Sequence, residues 1–180
     1  MKPINGLQPD LREVIALEDL AQLREQWRAR GLRVVFTNGI FDLLHVGHLQ
    51  YLAAARTLGD LLIVGLNSDS STRQLKGPKR PLVPEAERAA LLLGLRPVDY
   101  VTIFADRTAE NLVAALKPDV YVKGGDYSLS AGDQTSGQPA KILPEARIVQ
   151  GYGGQVELIN YLAGHSTTEL IERIVERYVE

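Results

Sequence analysis

Leu17, Leu20, Leu23 and Trp27 recur at three- and four-residue intervals in the segment LEDLAQLREQWRAR (17–30), with polar residues between them. That period places them on one face of a helix, and Gly31 directly behind it supplies a C-terminal stop. The pattern then changes. Arg33-Val34-Val35-Phe36-Thr37 is a short β-branched and aromatic run, which reads as a buried strand. Asp60 to Leu66 (DLLIVGL) is apolar almost without interruption, the pattern of a strand covered on both faces. Between the two runs, a loop containing Asn38 and Gly39 leads into a helical stretch, Gly47 to Leu58.

The alternation continues downstream. Glu85 to Gly94 and Thr108 to Leu116 read as helices, and Tyr100 to Phe104 and Asp119 to Val122 as strands. Two further short strands are predicted at Arg147 to Val149 and Gln155 to Ile159. Thr167 to Val179 is a closing amphipathic helix with Leu170, Ile171, Ile174 and Val175 on one face. No internal repeat is present. Strands alternating with helices imply βαβ units, so the expected class is α/β: a Rossmann-like open parallel sheet with helices on both faces. Leu75 to Pro84 has three prolines and three basic residues, and Gly124 to Pro144 is rich in Gly, Ser, Asp and Gln. Both are expected to be functional loops or lids.

Composition narrows the picture. The 180 residues are expected to form one domain, 1–180, with a helical extension (1–31) before a core (32–180), and leave little room for a second. The helical extension has no role beyond covering the sheet or contributing to a dimer. With no cysteine, thiolate catalysis and Cys-ligated zinc or iron–sulfur sites are excluded. A balance of 20 Lys and Arg against 22 Asp and Glu argues against a duplex nucleic-acid binder. The longest apolar stretch, Ala89 to Leu95, is far below the ~20 residues that span a bilayer. The N-terminus lacks an apolar signal core, so a cytoplasmic location is expected, with no membrane and no nucleic-acid partner.

Candidate chemistry gathers after the first strand, in Thr37-Asn38-Gly39-Ile40-Phe41-Asp42-Leu43-Leu44-His45-Val46-Gly47-His48. In an open parallel sheet, ligands bind outside the carboxyl ends of the strands. A glycine-containing turn followed by a helix N-terminus is where phosphate meets backbone N–H groups. Gly39 is expected to admit close approach, and Gly47 to bend the chain so that His45 and His48, one helical turn apart, face one volume. Two exposed histidines at a helix start, or a metal pair, would be the plainer reading of His-x-x-His alone. The strand–turn–helix context favours a phosphate site, and the lack of cysteine disfavours structural zinc.

Gly39-Ile40-Phe41-Asp42 with His45-Val46-Gly47-His48 resembles the motif of the cytidylyltransferase-like nucleotidyltransferases. The resemblance covers Arg33 to the C-terminus. Leu75-Lys76-Gly77-Pro78, Arg80-Pro81, Val122-Lys123-Gly124-Gly125-Asp126-Tyr127, Tyr152-Gly153-Gly154 and Ser166-Thr167-Thr168 are most similar to the bacterial heptose 1-phosphate adenylyltransferases. The resemblance implies ATP and a sugar phosphate as substrates, an ADP-sugar and pyrophosphate as products, Mg²⁺ held mainly by the nucleotide phosphates, and a homodimer. His45, His48 and Lys76 take catalytic roles by that resemblance. Asn38, Gly39, Ile40, Phe41, Asp42, Gly47, Asn67, Asp69, Arg88, Lys123, Gly124, Asp126, Ser166, Thr167 and Thr168 take nucleotide-binding ones. Lys76 is expected in the loop after Ser68-Asp69, and Arg88 at the open end of a helix. His165 is read as incidental.

Nucleotidyl transfer suits these residue types. The attacking phosphate oxygen is already ionised, so neither a strong base nor a covalent nucleophile is required. Charge build-up is the difficulty, and it is met by positioned N–H donors, cations and Mg²⁺. Ser166 also reads as an N-cap with Glu169 in the first turn, a role compatible with phosphate binding. Two departures stand out. Gly132 to Pro144 is longer than the heptose pattern and is expected to reshape the acceptor pocket. Tyr161-Leu162 stands where cytidylyltransferases carry Arg-Thr. Other acceptors (glycerol 3-phosphate, flavin mononucleotide), CTP in place of ATP, or a non-catalytic nucleotide binder remain the alternatives.

Overall fold

Five parallel strands in the order β3-β2-β1-β4-β7 form the centre of the molecule. The structure, a computed structural model, describes residues 13–124, 127–128, 141–159 and 165–179. In chain order the elements begin α1 (Leu17–Ala29), β1 (Val34–Gly39), α2 (Val46–Arg56), β2 (Leu61–Asn67) and α3 (Asp69–Lys76). They continue with α4 (Glu85–Leu93), β3 (Tyr100–Phe104), α5 (Glu110–Leu116) and β4 (Val120–Gly124). A two-residue parallel pair follows, β5 (Tyr127–Ser128) with β6 (Lys141–Ile142), and then α6 (Pro144–Gly151), β7 (Gln155–Ile159) and α7 (Thr167–Tyr178).

Side-chain alternation along the strands explains the uninterrupted apolar runs. Val35, Leu62, Val64, Val120 and Val122 face one side and pack with Leu52 and Ala55 of α2 and Ala89 and Leu92 of α4. Val34, Phe36, Ile63 and Tyr121 face the other and pack with Leu20 and Trp27 of α1, Leu112 and Val113 of α5, and Ala146 and Val149 of α6. Both faces are apolar because both are covered. The α/β class with helices on both faces is therefore the fold observed.

The N-terminal helix acquires a structural role. Leu20 and Trp27 are buried in the second core, and the Arg24 guanidinium donates to Asp119 Oδ1 at 2.9 Å and to the Lys117 carbonyl. Asp119 Oδ2 in turn accepts from the Val34 amide at 2.7 Å, so one carboxylate ties α1 to the entrances of β1 and β4.

Two sequence expectations change. Arg147 to Val149 is not a strand but part of α6: Pro144 occupies the first helical turn, and Ala146 and Val149, three apart, are the buried apolar positions. Proline pre-sets the dihedral a helix start needs, and the three-residue spacing serves a helix and not a strand. Lys76 lies at the end of a helix, α3, and not in a loop. That helix starts where the Ser68 side chain accepts from the Ser71 amide, a polar N-cap before a mostly polar sequence with little apolar periodicity to reveal it.

Arg88 is the largest fully buried side chain. Its guanidinium donates to the carbonyls of Val83, Ile40 and Asn67 and to Asp69 Oδ1 at 2.7 Å. One cation thus braces the segment ahead of α4, the turn after β1 and the end of β2. Arg88→Met is expected to lower the unfolding free energy by about 3 kcal/mol, since it strands a carboxylate and three carbonyls. A urea midpoint unchanged from wild type would remove the brace role.

Candidate active site

β1 ends at the boundary where the chain leaves the sheet in opposite directions, to β2 on one side and β4 on the other. The turn that follows is unusual at Phe41, whose φ of 47° lies in the left-handed region. A non-glycine residue there costs about 1–2 kcal/mol. It folds the Phe41 ring back over Gly39, where a Cβ would lie 2.9 Å from Cε2, so Gly39 is bare to admit the ring. The same turn buries Asp42, whose carboxylate accepts from the Leu82 and Val83 amides and from Arg80 Nε at 2.5 Å. Asp42 thereby pins the proline-rich loop against the turn.

His45 caps α2 in an extended conformation and His48 follows one turn later. Their rings stack with centroids 3.9 Å apart, and the Phe41 ring lies 5.2 Å from that of His48. Gly47 is helical, so it does not bend the chain. Its lack of a side chain matters because a Cβ would sit 3.0 Å from His45 Nδ1 and 3.1 Å from the His165 backbone oxygen. Burial, and then the neighbouring His45, pushes His48 down to about 4. His45 is also lowered, by burial first and His165 second, against Glu169. Both rings are therefore neutral at pH 7. Nδ1 of each is buried with no hydrogen-bond partner among the described residues, so the single ring proton is best carried on Nε2.

Asn38 links β1 to β4. Its Oδ1 accepts from the Tyr121 hydroxyl at 2.7 Å and from Lys123 Nζ at 2.9 Å, and its backbone oxygen from Lys123 Nζ at 3.1 Å. An ammonium can only donate, which orients the amide. Burial lowers Lys123 to about 8, with Glu145 opposing the shift.

These groups share one cavity of about 950 Å³ at the carboxyl ends of the strands, large enough for a nucleotide and a second ligand. Asn38 through Asp42, His45 and His48 form one wall. Asn67 from the end of β2, Lys76 from α3 and Lys123 from β4 join them. The start of α7 closes the other side with Ser166, Thr167 and Thr168. There Ser166 Oγ accepts from the Glu169 amide at 3.1 Å, and Glu169 returns the bond to the Ser166 amide at 2.8 Å. This capping box engages the Glu169 amide and leaves those of Thr167 and Thr168 without intrahelical partners, available to an anion.

Other expected residues are not brought to the cavity wall. Arg88 is enclosed by protein oxygens, Asp69 is its counter-charge, and Gly47 and Gly124 serve packing and strand pairing. Asp126, residues 132–140 of the divergent loop and Tyr161-Leu162 lie outside the described residues. The structure adds Tyr51, Arg107, Thr108, Glu145 and His165 to the lining. Arg107 and Thr108 follow the carboxyl end of β3, so the same topological rule could have found them. Glu145 could not be found, since it falls between a segment read as loop up to Pro144 and one read as strand from Arg147.

An open parallel sheet with a crevice at the carboxyl ends of its strands, where the strand order reverses, belongs to the α/β proteins that bind ligands at that boundary. The chain belongs to the cytidylyltransferase-like family, whose pattern matches residues 36–173. It is 54% identical over 159 residues to the bifunctional protein HldE of Pelobacter propionicus and 52% identical over 170 residues to that of Trichlorobacter lovleyi. Those matches cover 88% and 94% of this chain but 30% of each relative, so the chain spans about a third of their length. A solved lipopolysaccharide core biosynthesis protein from Thermoplasma volcanium superimposes with a TM-score of 0.54 at 27% identity, covering 73% of this chain and 98% of its own. No helix among the described residues is long and apolar enough to cross a membrane.

The depressed histidines make stability depend on pH. Between about 4 and 6.5 the unfolded chain protonates at His48 while the native one does not, so stability falls as pH drops through that window. His48→Gln is expected to flatten the pH dependence of the urea midpoint between pH 7.5 and 5. A slope identical to wild type would show that His48 is not held neutral.

Proposed function

We propose that this domain transfers the adenylyl group of ATP to a sugar 1-phosphate of the heptose 1-phosphate class, releasing pyrophosphate and an ADP-sugar. The observation that carries the reading is the convergence of His45, His48, Lys123 and the first turn of α7 on one cavity at the β1–β4 boundary. Family membership supports the reaction type, and the two HldE relatives together with the Thermoplasma protein support a sugar-phosphate acceptor. ATP as substrate fits a cytoplasmic location.

In this reading an ionised oxygen of the sugar phosphate attacks the α-phosphorus of ATP. The new P–O bond forms as the bond to the β-phosphate oxygen breaks, and pyrophosphate leaves with that electron pair. Nε2–H of His45 and His48 would donate to the phosphate oxygens. An incoming polyanion favours the charged imidazoles, so protons taken up on binding would strengthen those contacts as charge develops. Lys123, Lys76 and the free amides of α7 would hold the remaining phosphates.

A magnesium ion would be held mainly by the nucleotide phosphates, because the carboxylates of the cavity are already engaged by protein donors. Asp42 is engaged by two amides and Arg80, Glu145 accepts from the Ala109 amide, and Glu169 is in the capping box. Mg²⁺ keeps several waters and binds mainly through substrate phosphates, with one of these carboxylates at most as a direct or water-mediated ligand. When bound, it would neutralise phosphate charge.

Incubation with ATP or CTP against heptose 1-phosphate, glycerol 3-phosphate and flavin mononucleotide, followed by pyrophosphate release, tests the reading. ATP with the heptose phosphate is the expected productive pair. Tight ATP binding with no pyrophosphate from any acceptor would leave a nucleotide-binding protein instead. His48→Ala is expected to lower kcat about 10²–10³-fold with an unchanged circular dichroism spectrum. Lys123 should add a limb to the pH profile, with kcat/KM for ATP declining as pH rises through about 8. Lys123→Arg is expected to abolish that limb, and a limb that persists in the variant assigns it to another group.

A further inference from the structure

The cavity has two unlike sides. His45 and His48 stand on or beside α2, which packs on the first core, and the start of α7 adjoins them. Toward the second core the wall changes character: Arg107 and Thr108 precede α5, and Leu143, Pro144 and Glu145 open α6. Glu145 is the group there that no step above uses. It is 4% exposed, yet it lines the cavity. Oε1 accepts from the Ala109 amide at 2.8 Å, and no other donor among the described residues reaches the carboxylate. An ionised carboxylate can accept about four hydrogen bonds, and burying it with fewer is costly. Lys123 feels its charge, but Nζ is directed at Asn38.

The surroundings say what would complete that set. A carboxylate repels a phosphate and accepts readily from neutral O–H groups. Buried Leu143 and half-buried Pro144 next to it offer an apolar surface, suited to the C–H face of a sugar ring. The Thr108 hydroxyl donates to Glu110, which leaves its own oxygen free to accept, and exposed Arg107 has no ion-pair partner among the described residues. The topology then separates two ligands. α7 follows β7 at one edge of the sheet, Arg107 and Thr108 follow β3 at the other, and Glu145 is bonded to the residue directly after them. A triphosphate drawn to α2 and α7 leaves this flank to the acceptor. We propose that Glu145 is the residue that reads the acceptor sugar, its carboxylate held by the Ala109 amide and receiving the hydrogens of ring hydroxyls. The assignment deepens the proposed reaction and rests on it for the identity of the acceptor.

Titration calorimetry separates this role from catalysis. Heptose 1-phosphate is added to protein preloaded with Mg²⁺ and α,β-methylene-ATP, which cannot release pyrophosphate. Glu145→Gln keeps an oxygen for the Ala109 amide and removes the charge. It is expected to weaken the sugar phosphate about 10–100-fold, the loss typical of a hydrogen bond to a charged group. Affinity for the ATP analogue, and the Mg²⁺ concentration it requires, should stay within twofold of wild type. At least one monodeoxy analogue of the heptose phosphate should bind wild type weakly by a similar factor and bind Glu145→Gln no worse than the parent sugar does. Wild-type affinity for the sugar phosphate in Glu145→Gln overturns the assignment. A loss that falls on the ATP analogue instead makes Glu145 a ribose contact, and a raised Mg²⁺ requirement makes it a metal ligand; either overturns it too. Equal losses for both ligands, with a lowered thermal midpoint, mark a structural contact only and do the same. If wild type binds the sugar phosphate but releases no pyrophosphate from ATP, the proposed reaction fails while the calorimetry still decides the role of Glu145. If wild type binds no sugar phosphate, the assignment fails, and pyrophosphate release with another acceptor would preserve nucleotidyl transfer.

Discussion

The adjacency of β1 and β4 is the constraint on which the site depends. β1 is central and pairs with β2 over its whole length, while the later strands add on its other edge. Parallel crossovers are right-handed, so helices on the two sides of β1 lie on opposite faces and a crevice opens where the order reverses. Asn38 closes that boundary chemically by accepting from both Tyr121 and Lys123 of β4. Everything else in the cavity is aimed at the same opening: the imidazoles from the helix after β1, the amides from α7 and the ammonium from β4.

The polar groups around this opening fall into two kinds. Asp42 and Arg88 are buried and saturated with protein partners, and they hold the loop at 80–83 and the end of β2 in place. Removing water from such groups is costly unless each lone pair and proton is met, which is what these two achieve. His45 and His48 are the other kind. Burial has pushed both toward their neutral forms, and their buried Nδ1 atoms have no described partner. A negative charge beside them would favour the charged forms.

Much of this was legible in the residue order. Apolar periodicity located α1, α2, α4 and all four strands with continuous hydrophobic runs, because each packs a full face against a core. Turn and motif chemistry marked Asn38 to His48 and Ser166 to Thr168, since a glycine turn and a Ser-x-x-Glu cap act locally. Failures came where a residue's role is set by what folds over it. Arg88 has the composition of an exposed helix cation, and only the approach of the Ile40 and Asn67 carbonyls makes it a brace. Pro144 to Gly151 is short and half apolar, so strand and helix were equally served until Ala146 and Val149 met the second core.

By itself, then, the order of residues determined the α/β class and the position of the crevice after β1, because these follow from periodicity and local backbone chemistry, and it carried the family motif by resemblance. Tertiary structure decided which polar side chains are free to meet a ligand and which are spent on the protein. It alone brought Glu145 and Tyr51 to the cavity, from segments far apart in the chain. It also left the apolar stripe of α7 uncovered by the described residues, although the sequence shows that stripe plainly. The physical reason is the same in each case: burial, and the charge state that follows from it, depends on neighbours that only the folded chain supplies.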